Sequence, residues 1–407
     1  MFTKINIKYY YSISYLFYNF SYFIFLFIVS KFLSLTQWGE ISLLLLIALY
    51  SNILTLGVSN GFSINLPYNI AKDDKYKIEA LYSIIWISIL YIVFIYFILS
   101  FLLDKFYIKN HIILFSLYLI SNYILLIMRI IARSYNDYKT LGLAYLFQAI
   151  ILFFIILNFI YFDFKNVFLS LSLSNIIAIV ILTITHKYKF LIKIHYNPKV
   201  FIELIMIGMP LLIAGILYSL LLGVDRFLIK EYYGIEDVGI YAFASLFFKI
   251  NMVLITLVNT IFYPRIIKSY AKNNFDEIIK LSKLQQWYSS LLVVISSIFI
   301  FLIIKFYLFD LFPKFSSASS IIFIFLITTV IYPFSLYTTY LTASGNQKKY
   351  MYIMFISFII NILLNIYFLS NAYPLYFVAY STFFSILFNV IAIRFSTIHL
   401  FKHKGHV

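Results

Sequence analysis

Long apolar runs separated by short, lysine-rich breaks set the rhythm of this 407-residue chain. Twelve runs are long enough to cross a bilayer: 10–30, 41–62, 80–103, 112–133, 140–161, 167–185, 203–223, 238–262, 285–309, 318–342, 350–370 and 374–394. A helix rises about 1.5 Å per residue, so roughly 20 apolar residues span a hydrocarbon layer of about 30 Å. Barrel strands would be about ten residues long with strict alternation. These runs are continuous, so the pattern predicts twelve transmembrane helices. The longest break, 186–202 (HKYKFLIKIHYNPKVFI), leaves six runs on each side and has room for a short amphipathic segment on the membrane surface. The expected organisation is an N-terminal six-helix lobe at 1–186, a cytoplasmic linker at 187–202 and a C-terminal six-helix lobe at 203–407. Two such bundles facing a shared cavity are a common transporter design.

Composition sharpens this picture. The chain is 63% hydrophobic and 11% charged, a balance that no soluble domain of this length could hide in a core. Lipid is therefore its solvent. Cysteine is absent, which removes disulfides and thiolate metal sites. The net charge of +16 is spread over short loops and does not point to nucleic acid. With the N-terminus placed in the cytoplasm, 22 of the 31 Lys and Arg fall on the cytoplasmic side and 8 on the other, with Lys249 left within a span. That asymmetry supports an even number of spans with both termini cytoplasmic.

The densest chemistry lies between Gly208 and Pro264. Two apolar runs there flank a charged turn holding Asp225, Arg226, Lys230, Glu231, Glu236 and Asp237. Lys249 follows eleven residues after Val238, roughly 16 Å along its helix and near the hydrocarbon midplane. An ammonium there is costly and calls for an anion or a polar partner, although a lysine can also snorkel along its stem. Arg129 and Arg133, four residues apart and so on one helix face, are candidates to meet an anionic group near the cytoplasm; plain interfacial anchoring explains them equally simply. Asp225 and Arg226 are candidates for a gate pair or a cation-coupling acid, against the simpler reading of an interfacial turn. Pro210 and Pro333 lie inside spans and are candidate hinges, since proline frees a carbonyl and bends a helix. Amides such as Gln148, Asn175, Asn361 and Asn365 are expected to face protein, because lipid cannot hydrogen-bond them.

No catalytic constellation stands out. The chain lacks GxxxxGK[ST] and HExxH, and its six histidines form no metal-ligand spacing. Transport without an enzymatic step, a cofactor or a metal is the expectation.

Five stretches carry a resemblance: LTQWGEISLL (35–44), LTLGVSNGFSINLPYNIAKDD (54–74), IARSYNDYKTLGLAYLFQAI (131–150), VDRFLIKEYYGIEDVGIYAFA (224–244) and LTASGNQKKY (341–350). In this order and spacing they resemble the polysaccharide-transporter branch of the multidrug/oligosaccharidyl-lipid/polysaccharide exporter superfamily, specifically the O-antigen flippases called Wzx. The resemblance implies an all-α membrane fold, a V-shaped pair of six-helix bundles working by alternating access in a bacterial inner membrane. It implies movement of an undecaprenyl-pyrophosphate-linked oligosaccharide between leaflets, with Lys249, Arg129 and Arg133 meeting the anionic head. A polysaccharide polymerase and a chain-length regulator would be further partners beside membrane lipids. The alternative within the superfamily is a cation-coupled exporter of small amphiphilic drugs. Against that alternative, the first, second and eighth spans carry no acid buried within them.

Overall fold

The computed structural model describes residues 2–103, 112–158, 164–185, 196–271, 274–335, 341 and 346–403. Helices account for nearly all of them. In order they are α1 Phe2–Phe32, α2 Leu35–Tyr50, α3 Val58–Ala71, α4 Lys75–Leu103, α5 Ile112–Ser134, α6 Tyr138–Asn158, α7 Phe164–Thr185 and α8 Pro198–Leu221. There follow α9 Val224–Tyr232, α10 Ile235–Ala271, α11 Phe275–Ile303, α12 Phe309–Leu311, α13 Ser319–Ile331, α14 Gln347–Ser370 and α15 Tyr376–His403. Among the described residues twelve helical segments are long and apolar enough to cross a membrane. The all-α, twelve-span, two-bundle architecture expected from the apolar runs is the observed one. Much of the 186–202 break, its residues 186–195, lies outside the described residues.

Local sequence explains where the helices start and stop. Pro198 opens α8, where a missing N–H costs nothing, and the Asn197 side chain accepts from the Lys199 N–H at 3.0 Å. Asn274 caps α11 by accepting from the Glu277 N–H at 3.1 Å. The second apolar run departs from the uninterrupted span expected at 41–62. It ends as an α-helix at Tyr50, tightens into a 3-10 turn over Ser51–Thr55, and passes through left-handed backbone at Leu56 (φ 50°) and Gly57 (φ 76°) before α3. Gly57 is required there twice over. Its φ disfavours any side chain, and a Cβ on it would lie 2.6 Å from the Gly208–Met209 backbone. The apolar pattern of LTLGVS gives no sign of the break.

The chain divides into two compact units. The first comprises residues 1–33 and 47–213, and the second 34–46 and 214–407. In the first unit, Leu125, Met128 and Ala132 of α5 pack on Leu141 and Ala144 of α6 and on Ala178 and Leu182 of α7. In the second, Val258, Phe262 and Ile266 of α10 pack on Ile278 of α11.

Helix α11 turns a polar stripe inward and apolar side chains outward. On α11 the buried face carries Ser282, Gln285, Ser289 and Ser297, while Trp287, Leu291, Ile295, Ile298 and Leu302 are exposed. Lipid cannot hydrogen-bond a hydroxyl or an amide, so the polar stripe turns inward.

Candidate functional site

In the second unit the short helix α9 carries Asp225 and Arg226 inward. Both are buried, at 1% and 2% exposure. The simpler expectation is an interfacial turn with helix-end charges; in the structure both side chains sit on a short helix between spans and are covered by protein. The Arg226 backbone N–H donates to Asp225 Oδ1 at 2.9 Å, and the Tyr241 hydroxyl donates to Asp225 Oδ2. The same Tyr241 oxygen lies 3.5 Å from the Thr382 hydroxyl of α15. The Arg226 guanidinium donates to the Ser245 hydroxyl, which donates in turn to the Ala242 carbonyl at 2.7 Å. Tyr241, Ser245 and Lys249 follow one another at four-residue spacing on α10, so one helix face presents all three. Lys249 is half-buried and lies within electrostatic range of both Asp225 and Arg226.

Sequence reading singled out the Asp225–Arg226 pair and, separately, Lys249, and the fold brings the three within electrostatic range of one another. Helix α9 lies between two spans. Burial there holds the Asp225 carboxyl above the usual carboxylate range, against the lowering pull of Arg226 and of the Tyr241 hydrogen bond. Chemically this is a carboxylate held by neutral donors, able to exchange one of them for a proton of its own.

In the first unit Arg129 occupies a different environment. Its Nη2 donates to Gln148 Oε1 at 2.6 Å, Gln148 Nε2 donates to Asn175 Oδ1 at 3.2 Å, and Asn175 Nδ2 donates to Ser121 Oγ at 3.3 Å. The guanidinium lies over the Tyr145 ring at 4.4 Å and the Tyr18 ring at 5.7 Å. Three helices thus hold one cation by amides and π-faces, which suits a guanidinium better than an ammonium. One turn on, Arg133 Nε donates to the Arg129 carbonyl at 3.2 Å and the side chain is exposed. Among the described residues no carboxylate lies within ion-pair distance of either arginine.

Helix α8 runs through Pro210 without interruption. Pro333 is buried in a 3-10 turn, Tyr332–Ser335, that continues α13. The prolines and the two charged groups are thus four separate features, two arginines in one unit and Asp225, Arg226 and Lys249 in the other. Tyr241, Ser245 and Thr382 escaped sequence reading. The four-residue spacing from Tyr241 to Lys249 was the available signal. Among the described residues no three metal-ligating side chains come together.

Some amides tie helices together and others bond along their own helix. Asn251 Nδ2 on α10 donates to Ser297 Oγ of α11 at 3.0 Å and to Thr329 Oγ1 of α13 at 2.8 Å. Asn365 Nδ2 donates to Asn361 Oδ1 at 3.0 Å along α14.

Solved structures of similar fold cover nearly the whole chain. An inward-facing multidrug resistance MATE family transporter of the MOP superfamily matches with a TM-score of 0.72 at 12% identity, over 96% of this chain and 95% of that one. An outward-facing one matches with a TM-score of 0.69 at 13% identity, over 99% and 97%. A MOP superfamily transporter from Pyrococcus furiosus, described by the reverse polarity of its binding pocket, matches with a TM-score of 0.68 at 12% identity, over 97% and 95%. At such identities the likeness is one of fold alone. None of the curated proteins compared with the chain matches it.

These findings, with a MatE family profile matching residues 210–367, overturn the assignment to the O-antigen flippase branch. With it go the undecaprenyl-pyrophosphate-linked oligosaccharide as cargo and the polymerase and chain-length regulator as partners. Solved MATE structures include complexes with MaL6 and with Br-NRF. The physical reason for the misassignment lies in where the resembling stretches fall. VDRFLIKEYYGIEDVGIYAFA is α9, the turn at Gly234 and the start of α10, and LTLGVSNGFSINLPYNIAKDD is the break at Gly57 and α3. Such turns and crossings are dictated by the fold, and so report the fold and not the cargo. A second profile, described as polysaccharide biosynthesis protein, matches residues 8–270, more than half of the chain, and by that match the chain belongs to this family.

Proposed function

We propose that the protein is a cation-coupled exporter of small amphiphilic solutes, with Asp225 as the group that takes up the coupling cation. The observation that carries this reading is the burial of Asp225 in the second unit under the Tyr241 hydroxyl. A buried carboxylate is costly, and one kept beside specific charged partners is a candidate for moving or sensing charge. The single carboxylate has two cations near it, Arg226 and Lys249, and lacks the several carboxylates a metal site would gather. A proton needs no coordination shell, so it is the favoured coupling ion. Protonation would release the carboxylate from Tyr241 and the Arg226 N–H and leave both cations less compensated, a change of local charge on which two conformations can differ. The fold's likeness to inward- and outward-facing MATE transporters supports the alternating-access part of this reading. The lysine and arginine asymmetry of the loops supports residence in a cytoplasmic membrane with both termini inside.

The test is transport in proteoliposomes under an imposed proton gradient. Wild type is expected to concentrate an amphiphilic dye against its gradient. Asp225→Asn, which keeps shape but cannot cycle a charge, is expected to lose at least 90% of that accumulation while inserting normally. Undiminished accumulation by the Asn variant would refute the assignment of Asp225.

A further inference from the structure

A cavity of about 380 Å³ opens in the first unit between α3 and α5. Its volume lies within the range of small-molecule sites. The lining is divided by chemistry. Ser59, Asn60, Ser63, Ser134 and Arg133 supply hydroxyls, an amide and a guanidinium, while Pro67, Leu126 and Ile130 supply an apolar wall.

The charge of this site has one sign. No carboxylate lines it, and among the described residues none lies within ion-pair distance of Arg133 or of Arg129 one turn away. The Arg129 charge is not cancelled by its own partners either. Gln148, Asn175 and Ser121 pass hydrogen bonds away from the guanidinium in one direction, each accepting on the arginine side. That relay spreads positive charge into the bundle and adds no negative charge to it. Arg133 is held by its Nε on the Arg129 carbonyl at 3.2 Å, which leaves the two terminal nitrogens of its fork for a ligand. Ser63 and Arg133 are exposed and form the mouth, whereas Ser59 and Ile130 are buried and form the floor.

We infer that this cavity binds an organic anion, a carboxylate, sulfonate or phosphate joined to an apolar body of about one or two rings. Its anionic end is held by the Arg133 guanidinium and the Asn60 amide N–H groups, since Ser63 and Ser134 donate their protons to the Asn60 and Ile130 carbonyls, and its apolar end lies on Pro67, Leu126 and Ile130. A bidentate guanidinium is the geometry that selects such oxyanions. The inference rests on the export reading for its place in a transport cycle, and it gives that reading a substrate charge opposite to that of an organic cation.

The test uses the full chain in lipid nanodiscs and two permanently charged probes of similar shape, naphthalenesulfonate and naphthyltrimethylammonium, titrated by calorimetry. The sulfonate is expected to bind at least tenfold tighter than the ammonium. Arg133→Gln should weaken the sulfonate at least tenfold and leave the ammonium unchanged, with Arg133→Lys in between. Ser63→Asp, at an exposed position, should reverse the preference. Equal affinities for the two probes, or an unchanged preference in both Arg133→Gln and Ser63→Asp, would overturn the inference. The same variants in proteoliposomes separate the two claims. Gradient-driven movement of the ammonium without sulfonate binding overturns this site and leaves export standing. Sulfonate binding without gradient-driven movement of either probe upholds the site and removes the export reading.

Discussion

At the scale of single residues, the chain spends its few polar side chains on ties between helices and on two clusters of charge. Asn251 shows the first use. It reaches both α11 and α13 through Ser297 and Thr329, at 3.0 and 2.8 Å. Interhelical hydrogen bonds in membranes average about 0.6 kcal/mol each, so Asn251→Leu should cost roughly 1 kcal/mol, measured by reversible unfolding in detergent. A loss of several kcal/mol would mean that the amide also holds something else. Asp225 shows the second use. Its sequence setting, GVDRFLIKEYYGIED, looks like an exposed loop because charges and glycines crowd together. Burial comes from α9 folding back against α10 and α14, a tertiary event that no local pattern announces. Arg129 was legible as a charge late in its span, but its setting was not. Tyr18 and Tyr145 are two among 38 tyrosines, and only the packing of α1 and α6 on α5 picks them out.

At the scale of elements, two close helix crossings are built on glycine. In the first unit Gly57 and Gly208 bring α3 and α8 so near that a Cβ on Gly208 would stand 1.9 Å from the Gly57 carbonyl oxygen. In the second, a Cβ on Gly239 of α10 would stand 2.4 Å from the Leu35 carbonyl oxygen of α2. Backbone atoms cannot step aside as a flexible side chain can, so Gly208→Ala should cost about 3 kcal/mol by overpacking. Gly215, on the same helix, has open space where its Cβ would go, and Gly215→Ala should be neutral or slightly stabilising. Thermal unfolding of the two variants side by side checks this, and equal melting temperatures would contradict the crossing. These crossings also explain what sequence could and could not show. Twelve spans were readable because each run falls within the range of lengths that cross a bilayer as a helix. The break between α2 and α3 was not, because Gly57 is needed for a contact with α8, 151 positions further along the chain.

At the scale of the molecule, the account joins a shared fold to two chemistries of its own. The fold is one that MATE transporters also adopt in inward- and outward-facing forms, and the family profile over 8–270 places the chain among polysaccharide biosynthesis proteins. The quoted stretches mark turns and crossings of the fold, and so they report the fold. They were not enough to choose a cargo, because cargo is decided by side chains that face a cavity and not by those that let helices touch. Export coupled to protons through Asp225 is the central claim. Coupling is reciprocal in binding terms, so a solute gradient must be able to move protons. The most direct measurement is the internal pH of proteoliposomes, followed with a trapped fluorescent indicator, when a gradient of either naphthyl probe is imposed inward. Wild type should alkalinise its interior as solute enters and protons leave, and Asp225→Asn should give no pH change. Solute entry by the wild-type protein with a constant internal pH would contradict the account.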